Sequence, residues 1–357
     1  MKVCILGSGI TSLTLAKSLV NQGLYVDIFY IKKLNNESNT RTIGISKSNI
    51  DFFNENITNI NKFLWDIKKI EILSENLKDE KILNFEKKNK TLFSLIKNKD
   101  LSKYLFDKLN KNKYAKFKRN YQNFEEIKKK YRLIFNCESN STLTRKFFYK
   151  KIEKNYHSYA HTALIRHKKL TDNITATQIF TNKGPLAFLP ISSTETSVVY
   201  SARGEKKIEF LDIIKKYNSK YTKIKIEDNS SFNLKSSNLR CYYHENILAF
   251  GDLLHKLHPL AGQGFNMTLR DIKEILKLIK FRKNLGLELD TSIFSDFEKK
   301  TKHKNYIFSN GIDFIYEIFN LESKIKNNFL SKSIKLIGNN KYANNFFVKI
   351  ADSGFRI

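Results

Sequence analysis

The sequence contains few of the residues that interrupt regular structure or cross-link a chain. Its 357 residues include 13 glycines, three prolines and three cysteines, and no glycine lies between Gly44 and Gly184. Cys4, Cys137 and Cys241 are odd in number and far apart, which excludes a disulfide framework and any recognised metal-ligand spacing. We therefore expect a reducing compartment and small buried thiols.

Long apolar runs are also missing from the sequence. No run approaches the roughly 18 residues that a membrane-spanning helix needs. The apolar stretch Val3–Leu6 is too short for a signal-peptide core and leads directly into a glycine turn. Hydrophobic residues nevertheless make up 41% of the chain and aromatic residues 13%, which excludes a disordered protein. We expect a soluble, cytoplasmic protein with a large core.

Acidic residues are scarce relative to basic ones. The chain has 64 Lys and Arg residues against 35 Asp and Glu residues, a formal net charge of +29. Such an excess is typical of proteins that bind anionic membranes or nucleic acid, and the run 108–121 mixes Lys with Tyr and Phe. Because the lysines are scattered along the chain, we favour a compositional bias. A membrane-surface role is the alternative, and nucleic acid is disfavoured.

The N-terminal segment has the pattern of a strand, a glycine turn, a helix and a second strand. Val3–Leu6 is apolar, Gly7 and Gly9 form the turn, and apolar residues then recur at helical spacing up to Gly23. Such a turn lets the backbone approach a pyrophosphate at the helix N-terminus. The candidate cofactor-binding residues here are Gly7, Gly9, Ile10 and Thr11.

Two positions depart from the usual dinucleotide fingerprint. Ser12 replaces the third glycine, and Tyr30 replaces the acidic residue at the end of the second strand. Asp27 is close to that position but is expected to face the other way along the strand. No residue is therefore assigned to the ribose.

The pattern of residues changes twice in the middle of the chain. Residues 43–130 are rich in Lys and predict mainly helix, and residues 131–137 predict a buried strand. Residues 156–240 alternate apolar and polar positions and predict an antiparallel sheet. A second buried strand is predicted within 245–252.

The most informative stretch is residues 251–271. Asp252 follows the buried strand and can accept hydrogen bonds from a sugar-like chain, and Pro259 excludes a continuous helix before it. Gly262 and Gly264 allow backbone N–H groups to approach a flat ligand. The positive end of the helix that follows favours a delocalised anion such as a reduced flavin.

Two histidines in this stretch raise the alternative of a metal site. His255 and His258 are three residues apart, but the sequence suggests no third ligand. We disfavour a metal and expect each histidine to pack or to face the substrate.

A family resemblance rests on these motifs. The segment "HPLAGQGFNMTLRD", residues 258–271, resembles the second flavin motif of the FAD-dependent aromatic hydroxylases related to p-hydroxybenzoate hydroxylase. More narrowly, it is similar to the ubiquinone-biosynthesis flavin hydroxylases. Residues 41–53, 98–109, 159–165 and 180–192 resemble further parts of that family in the same order. The resemblance therefore covers nearly the whole chain.

The resemblance implies where FAD would bind. Gly7 and Gly9 would lie under the pyrophosphate, Arg41 near the cofactor, and Asp252 at the ribityl–pyrophosphate region. Pro259 is a further cofactor-binding candidate. The residues implied to line the isoalloxazine are Gly262, Gln263, Gly264, Phe265 and Asn266.

The resemblance also implies an FAD-dependent monooxygenase. Reduced flavin and O₂ would form a C4a-hydroperoxide that hydroxylates the ring of a polyprenylated phenol in ubiquinone biosynthesis. No side chain is firmly assigned to catalysis, and the candidates near the flavin are His258, Pro259 and Gln263. The alternatives are a flavin hydroxylase of a soluble aromatic substrate and a non-catalytic scaffold in a quinone-biosynthesis complex.

The electron donor and partners stay open. Glu138 and Ser139 stand where relatives carry an Asp-Gly pair implicated in NAD(P)H use. The donor is therefore either NAD(P)H or a reductase or ferredoxin-type protein. Other ubiquinone-biosynthesis enzymes and the inner face of a membrane are further candidate partners.

The expected fold class is α/β, with a Rossmann-like FAD-binding domain interleaved with an antiparallel-sheet substrate domain and a helical C-terminal tail. The predicted boundaries are 1–70, 95–155 and 241–290 for the FAD-binding domain, 71–94 and 156–240 for the substrate domain, and 291–357 for the tail.

Overall fold

The computed structural model describes residues 1–30, 40–75, 80–86, 90–119, 124–258 and 262–325. The helices in these ranges are α1 (Ile10–Asn21), α2 (Lys47–Asn56), α3 (Asn98–Asn110), α4 (Phe124–Lys130), α5 (Thr142–Phe147), α6 (Phe210–Tyr217), α7 (Gly264–Asn284) and α8 (Ser292–Ile325). The strands are β1 (Lys2–Leu6), β2 (Tyr25–Tyr30), β3 (Thr42–Ser46), β4 (Trp65–Ile67), β5 (Lys69–Ser74), β6 (Glu80–Glu86), β7 (Phe93–Lys97), β8 (Ala115–Arg119), β9 (Ile134–Asn136), β10 (Lys151–Arg166), β11 (Thr175–Thr181), β12 (Gly184–Pro190), β13 (Glu195–Arg203), β14 (Lys225–Leu239), β15 (Tyr243–His244), β16 (Ile247–Ala249) and β17 (His255–Lys256).

A largely parallel sheet carries the N-terminal motif. Over the described residues its order is β15-β16-β9-β1-β2-β8, and β1 runs parallel to both β2 and β9. Val3–Leu6 is completely buried in one core with α1 because its side chains are apolar on both faces. Leu6 and Ala249 are both in register with Asn136. The segments that follow β1, β9 and β16 therefore emerge at one edge of the sheet.

A second sheet covers most of the middle of the chain. Its order over the described residues is β17-β14-β10-β13-β12-β11-β5-β6, antiparallel except where β5 joins β11. Phe210 and Ile214 of α6 pack against Leu186, Val198 and Tyr200 on one face of this sheet. The antiparallel strands predicted within 156–240 are confirmed.

A small sheet of β3, β7 and β4 joins the two larger ones. The hydroxyl of Thr40 lies 3.0 Å from the hydroxyls of both Thr162 and Ser230. The Thr42 hydroxyl donates to Ser197 at 3.1 Å. These contacts hold β3 and the residue before it against the eight-stranded sheet.

Two expectations from the sequence are wrong. Residues 43–130 are not mainly helical, because β3 to β8 occupy much of that range. β5 pairs with β6 on one side and with β11 on the other, and these partners stabilise an extended backbone that local pattern does not reveal. The thiols are also not uniformly buried, since Cys4 is buried, Cys137 is half-buried and Cys241 is exposed.

The helical tail is confirmed as far as Ile325, where α8 ends. In α8, Phe294 packs edge-on against Phe135 of β9. Phe297 stacks against Phe250, the residue that follows β16. The remainder of the predicted tail lies outside the described residues. Where the chain is described, no helix combines the length and apolar character needed to cross a bilayer. The domain boundaries and the cytoplasmic location remain predictions.

Candidate functional site

The turn after β1 leaves no room for a side chain at Gly7. Gly7 has φ +115°, and its N–H donates to the Phe29 carbonyl at 2.8 Å. A Cβ at Gly7 would lie 2.9 Å from Ser12 Oγ and 3.1 Å from Glu138 Oε1. Since φ and space both exclude a side chain, glycine is required there.

The N-terminus of α1 is open. Gly9 caps the helix without a side-chain hydrogen bond, and the first turn holds no acidic residue. A Cβ at Gly9 would meet nothing within 4 Å. Ile10 is buried and Thr11 is half-buried behind the turn. The N–H groups of the first turn are therefore not capped by a side chain and face space in which an anion fits.

The loop after β16 packs against that same turn. Gly251 has φ +68°, and a Cβ there would lie 2.5 Å from Thr11 Cγ2. Asp252 follows, with its carboxylate 3.9 Å from Arg41 Nη2. The two side chains are 54% and 62% exposed, so this ion pair contributes little to folding. Both groups are consequently able to turn toward a ligand.

The loop after β9 supplies the third side of the turn. Glu138 N–H donates to Asn136 Oδ1 at 3.1 Å, and the Thr144 hydroxyl donates to the Glu138 carbonyl. Burial raises the pKa of the Cys137 thiol to about 12, despite a hydrogen bond with Ser12. The thiol is therefore protonated and inert at neutral pH. Ser139 is exposed in the turn that follows.

The start of α7 is locked onto β3. Asn266 is 2% exposed, and its Nδ2 donates to the Gly44 carbonyl at 2.9 Å. Its Oδ1 accepts from Ser46 N–H at 3.0 Å and from Asn49 Nδ2 at 2.9 Å. Gly262, with φ +61°, would place a Cβ 3.7 Å from the Gly44 nitrogen. Because protein groups occupy the Asn266 side chain, any ligand here would meet backbone rather than that amide.

The N-terminus of α7 is open in the same way as that of α1. Gln263 caps the helix without a side-chain hydrogen bond to it, and the first turn holds no acidic residue. A Cβ at Gly264 would meet nothing within 4 Å. Gln263 Oε1 instead accepts from Arg270 at 3.2 Å, and Phe265 packs partly buried against the core. An anionic edge of a flat ligand fits at this helix end.

The two histidines have packing roles. His255 Nε2 lies 2.5 Å from Asp271 Oδ2, and both residues are 1% exposed. His258 contacts the rings of Tyr156 and Tyr316 at centroid distances of 4.8 Å and 4.3 Å. Burial, helped by the nearby Lys154, lowers the pKa of His258 to about 3, so its ring is neutral at pH 7. Pro259, the other catalytic candidate beside it, lies outside the described residues.

The strand end where relatives carry a ribose-binding acid is different. Tyr30 packs edge-on against Phe117 at 6.5 Å, next to Arg119 in register on β8. Asp27 is buried and pairs with Lys118 at 2.7 Å and with Lys2 at 3.1 Å. Its carboxylate is thus used inside the protein and cannot replace the missing acid.

The structure gathers the candidates into two groups. Gly7, Thr11, Glu138 and Asp252 surround the N-terminus of α1, and Arg41 reaches this group through its ion pair with Asp252. The second group is Gly262, Gln263, Gly264, Phe265 and Asn266 at the start of α7. Sequence reasoning missed Gly44, Ser46 and Asn49 as partners of the second group. A signal for Gly44 existed, since it is the last glycine before the long glycine-free stretch.

Comparison with curated proteins gives low identity over parts of the chain. No family model matches the chain. It is similar to the mitochondrial ubiquinone biosynthesis monooxygenase COQ6 of Schizosaccharomyces pombe, with 19% identity over 274 residues that cover 62% of this chain and 57% of that protein. It is also similar to the 3-demethoxyubiquinol 3-hydroxylase of Escherichia coli K12, with 25% identity over 152 residues that cover 40% and 39%. The matches span about half of the relatives' length or less.

Comparison with solved structures covers nearly the whole chain. The p-nitrophenol 4-monooxygenase PnpA of Pseudomonas putida DLL-E4 superposes with TM-score 0.78 at 10% identity, covering 99% of this chain and 98% of that one. The complex of Klebsiella pneumoniae HpxO with FAD and uric acid gives TM-score 0.74 at 10% identity, covering 98% of this chain and 97% of that one. The α/β fold predicted from the sequence, with its parallel and antiparallel sheets, is confirmed.

Proposed function

We propose that this chain, a relative of the ubiquinone-biosynthesis flavin hydroxylases, is an FAD-dependent aromatic monooxygenase. The observation that carries the proposal is a pair of helix N-termini, those of α1 and α7, that each begin at a glycine facing open space. Neither helix end has a side-chain cap or an acid in its first turn. An elongated ligand with one anionic group in its middle and a second at one end would use both helix N-termini.

The residues present fit FAD. The pyrophosphate would bind the N–H groups at Gly9, Ile10 and Thr11, where Gly7 has no room for a side chain. Asp252 would accept hydrogen bonds from the ribityl hydroxyls, and Arg41 would offset the charge of the phosphates. The isoalloxazine would lie against the backbone of 262–264. When bound and reduced, FAD supplies with O₂ the reagent that hydroxylates a phenol ring.

The protein's contribution is to position groups and to place fixed charge. The α7 terminus stabilises negative charge on the pyrimidine edge of the ring by roughly 0.3–1 kcal/mol, or up to about 2 when partly buried. The backbone of Gly262 lies against that of Gly44, where a Cβ on Gly262 would be 3.7 Å from the Gly44 nitrogen. His258 is neutral and packed, so it does not serve as a proton donor at neutral pH. Gln263 is a further polar side chain at that helix end, and its Oε1 accepts a hydrogen bond from Arg270.

The substrate that we propose is a polyprenylated phenol of ubiquinone biosynthesis. The support is the activity named for two similar proteins, the ubiquinone biosynthesis monooxygenase COQ6 and 3-demethoxyubiquinol 3-hydroxylase. The eight-stranded sheet, on which the substrate would lie, contacts Thr40 and Thr42 at β3 through the hydroxyls of Thr162, Ser197 and Ser230. The electron donor is NAD(P)H or a reductase or ferredoxin-type protein. A soluble aromatic substrate is the alternative.

A second candidate function rests on the α1 end of the site. Ser12, Tyr30 and Ser139 all depart from the pattern that a dinucleotide site usually has at its adenosine half. Loss of these contacts is the expected state of a relative that has become a scaffold in a quinone-biosynthesis complex. Such a protein would keep the fold without retaining FAD.

A single-turnover reaction tests the catalytic proposal without requiring the natural donor. FAD-loaded protein is reduced with dithionite and mixed with a short-chain prenylphenol and ¹⁸O₂. We expect a hydroxylated product that carries one ¹⁸O atom, detected by mass spectrometry, with the remaining oxygen released as water. Free reduced FAD is the control. If neither prenylphenols nor soluble phenols gain oxygen above that control, the monooxygenase assignment is wrong.

A further inference from the structure

A groove of about 800 Å³ lies between the first half of α8 and the adjoining ends of β10 and β14. None of the candidate flavin-binding residues lines it. Its floor is formed by Asn238, Leu239 and Tyr242, all nine-tenths or more buried. The groove is therefore a second concave surface, separate from the openings at α1 and α7.

The walls of the groove are apolar and aromatic. Ile152 and Tyr306 line it and are 44% and 42% exposed, which leaves large apolar side chains in contact with solvent. Tyr243 contributes a third half-buried side chain. Such a surface binds an apolar chain or ring favourably because water leaves both partners.

The charge of the groove is strongly unbalanced. Arg240, Lys299, Lys302 and His303 line it, against the single carboxylate of Glu298. Glu298 is already used, since it accepts from Lys302 at 2.7 Å. Arg240 and Lys299 are exposed and have no ion-pair partner among the described residues. Two cations therefore stand free beside an apolar wall.

The floor also holds a polar group that the fold leaves unsatisfied. Asn238 Nδ2 donates to Ser309 Oγ at 2.9 Å, whereas its Oδ1 has no hydrogen-bond partner in the described part of the chain. Asn238 pairs with His255 across β14 and β17, so the floor adjoins the segment that follows Asp252. The Asn238 Oδ1 oxygen is buried beneath the surface of the groove, so it makes the floor polar but is not an atom that a ligand in the groove contacts directly.

We infer that this groove binds the headgroup and upper chain of an anionic phospholipid at a bilayer surface. The phosphate would lie between Arg240 and Lys299, the glycerol near Asn238, and the acyl chain along Ile152 and Tyr306. A free phosphate would use the cations but would leave the apolar wall exposed. The groove is also far larger than one phosphate, and its combination of basic and aromatic side chains matches a lipid interface. This inference does not depend on the flavin chemistry.

Vesicle sedimentation of the full chain tests the inference. Arg240→Gln with Lys299→Gln removes two basic contacts, each worth about fivefold in affinity, so binding to phosphatidylcholine vesicles containing phosphatidylglycerol should fall roughly thirtyfold. Lys206→Gln with Lys207→Gln is the matched control, because both lysines are exposed, lie before α6 and do not line the groove. The control should lose less than about threefold, since only diffuse attraction changes.

Further arms separate the lipid from other anions. Tyr306→Ser keeps the charge and should weaken vesicle binding severalfold if the wall holds an acyl chain. Equal losses in the groove and control pairs would overturn the inference, because the net charge alone would then explain binding. Inorganic phosphate that competes as well as the vesicles, or single-stranded oligonucleotide bound through the same two residues in preference to vesicles, would also overturn it.

Discussion

The end of the proposed FAD site at α7 is joined to β3 by the buried amide of one side chain, whereas the end at α1 brings together three loops, of which the one after β9 has its own local hydrogen bonds. At α7, one amide, that of Asn266, joins Gly44, Ser46 and Asn49. At α1, Asn136 and Thr144 hold the loop after β9, while Gly251 packs against Thr11 with no side chain that bonds all three loops together. The comparison indicates that a single amide organises the proposed flavin end, whereas the α1 end depends on loops that are stabilised separately.

A second feature of this region is the buried carboxylate of Asp27 on β2. Burial raises the pKa of Asp27, but hydrogen bonds from Lys118, Tyr131 and Lys2 outweigh burial and hold this pKa below its usual range. This carboxylate is charged but already paired. We therefore expect FAD to be held mainly by its pyrophosphate and isoalloxazine, with a weak contribution from the ribose of the adenosine.

Removing the network at α7 should have the largest effect. Asn266→Ala leaves the Gly44 carbonyl, the Ser46 N–H and Asn49 without their partner, which costs about 3 kcal/mol in the free energy of unfolding at about 1 kcal/mol for each bond. Asn49→Ala removes one of these bonds and should cost about a third as much. Urea denaturation measures both. If the two variants lose the same unfolding free energy, the Asn266 amide does not organise the α7 end.

Acidification should destabilise the protein through His258, which precedes the α7 end. Its pKa is about 3 when folded against an ordinary value of 6.5, so the unfolded chain binds a proton first as the pH falls. This contribution is complete above pH 6.5 and is lost as the pH falls toward 3. The loss amounts to about 2 kcal/mol at pH 5. The difference in unfolding free energy between pH 7 and pH 5 should shrink in His258→Phe by the amount that His258 contributes. An unchanged difference would count against a buried neutral His258 ring.

The two open glycines allow the helix ends to be compared directly. Gly264→Ala and Gly9→Ala each add a methyl group where the protein has no atom within 4 Å. Both variants should therefore fold as well as the parent, but FAD affinity should fall roughly tenfold or about 1.4 kcal/mol, more for Gly264→Ala. Calorimetric titration with FAD and thermal unfolding measure the two properties. If Gly264→Ala leaves the affinity for FAD unchanged, the isoalloxazine does not lie at this helix end.

Loss of the exposed carboxylate should have the smallest effect. Asp252→Ala breaks only an exposed ion pair with Arg41, so the unfolding free energy should change by less than about 0.5 kcal/mol. FAD retention through desalting should fall severalfold because a hydrogen bond to the ribityl chain is lost. Asp290→Ala, at another partly exposed ion pair, is the control and should retain FAD normally. Equal retention in both variants would exclude Asp252 from the site.

The sequence predicts some parts of this molecule well for physical reasons. The turn at Gly7 and the start of α7 follow from local backbone chemistry, which glycine and apolar periodicity reveal. The role of Asn266 could not be predicted, because Gly44 lies more than two hundred residues away along the chain. Strand β5 was missed for the same reason, since its partner β11 follows much later. The pairing of Asp27 with Lys118 likewise depends on the sheet order.

The most direct test of the central claim is the visible spectrum of the purified chain after incubation with FAD and removal of free cofactor. The account predicts flavin absorption bands that correspond to one FAD per chain, shifted from those of free FAD because the ring lies against the α7 terminus. A colourless protein that takes up no FAD from solution would contradict the account and leave the scaffold as the function.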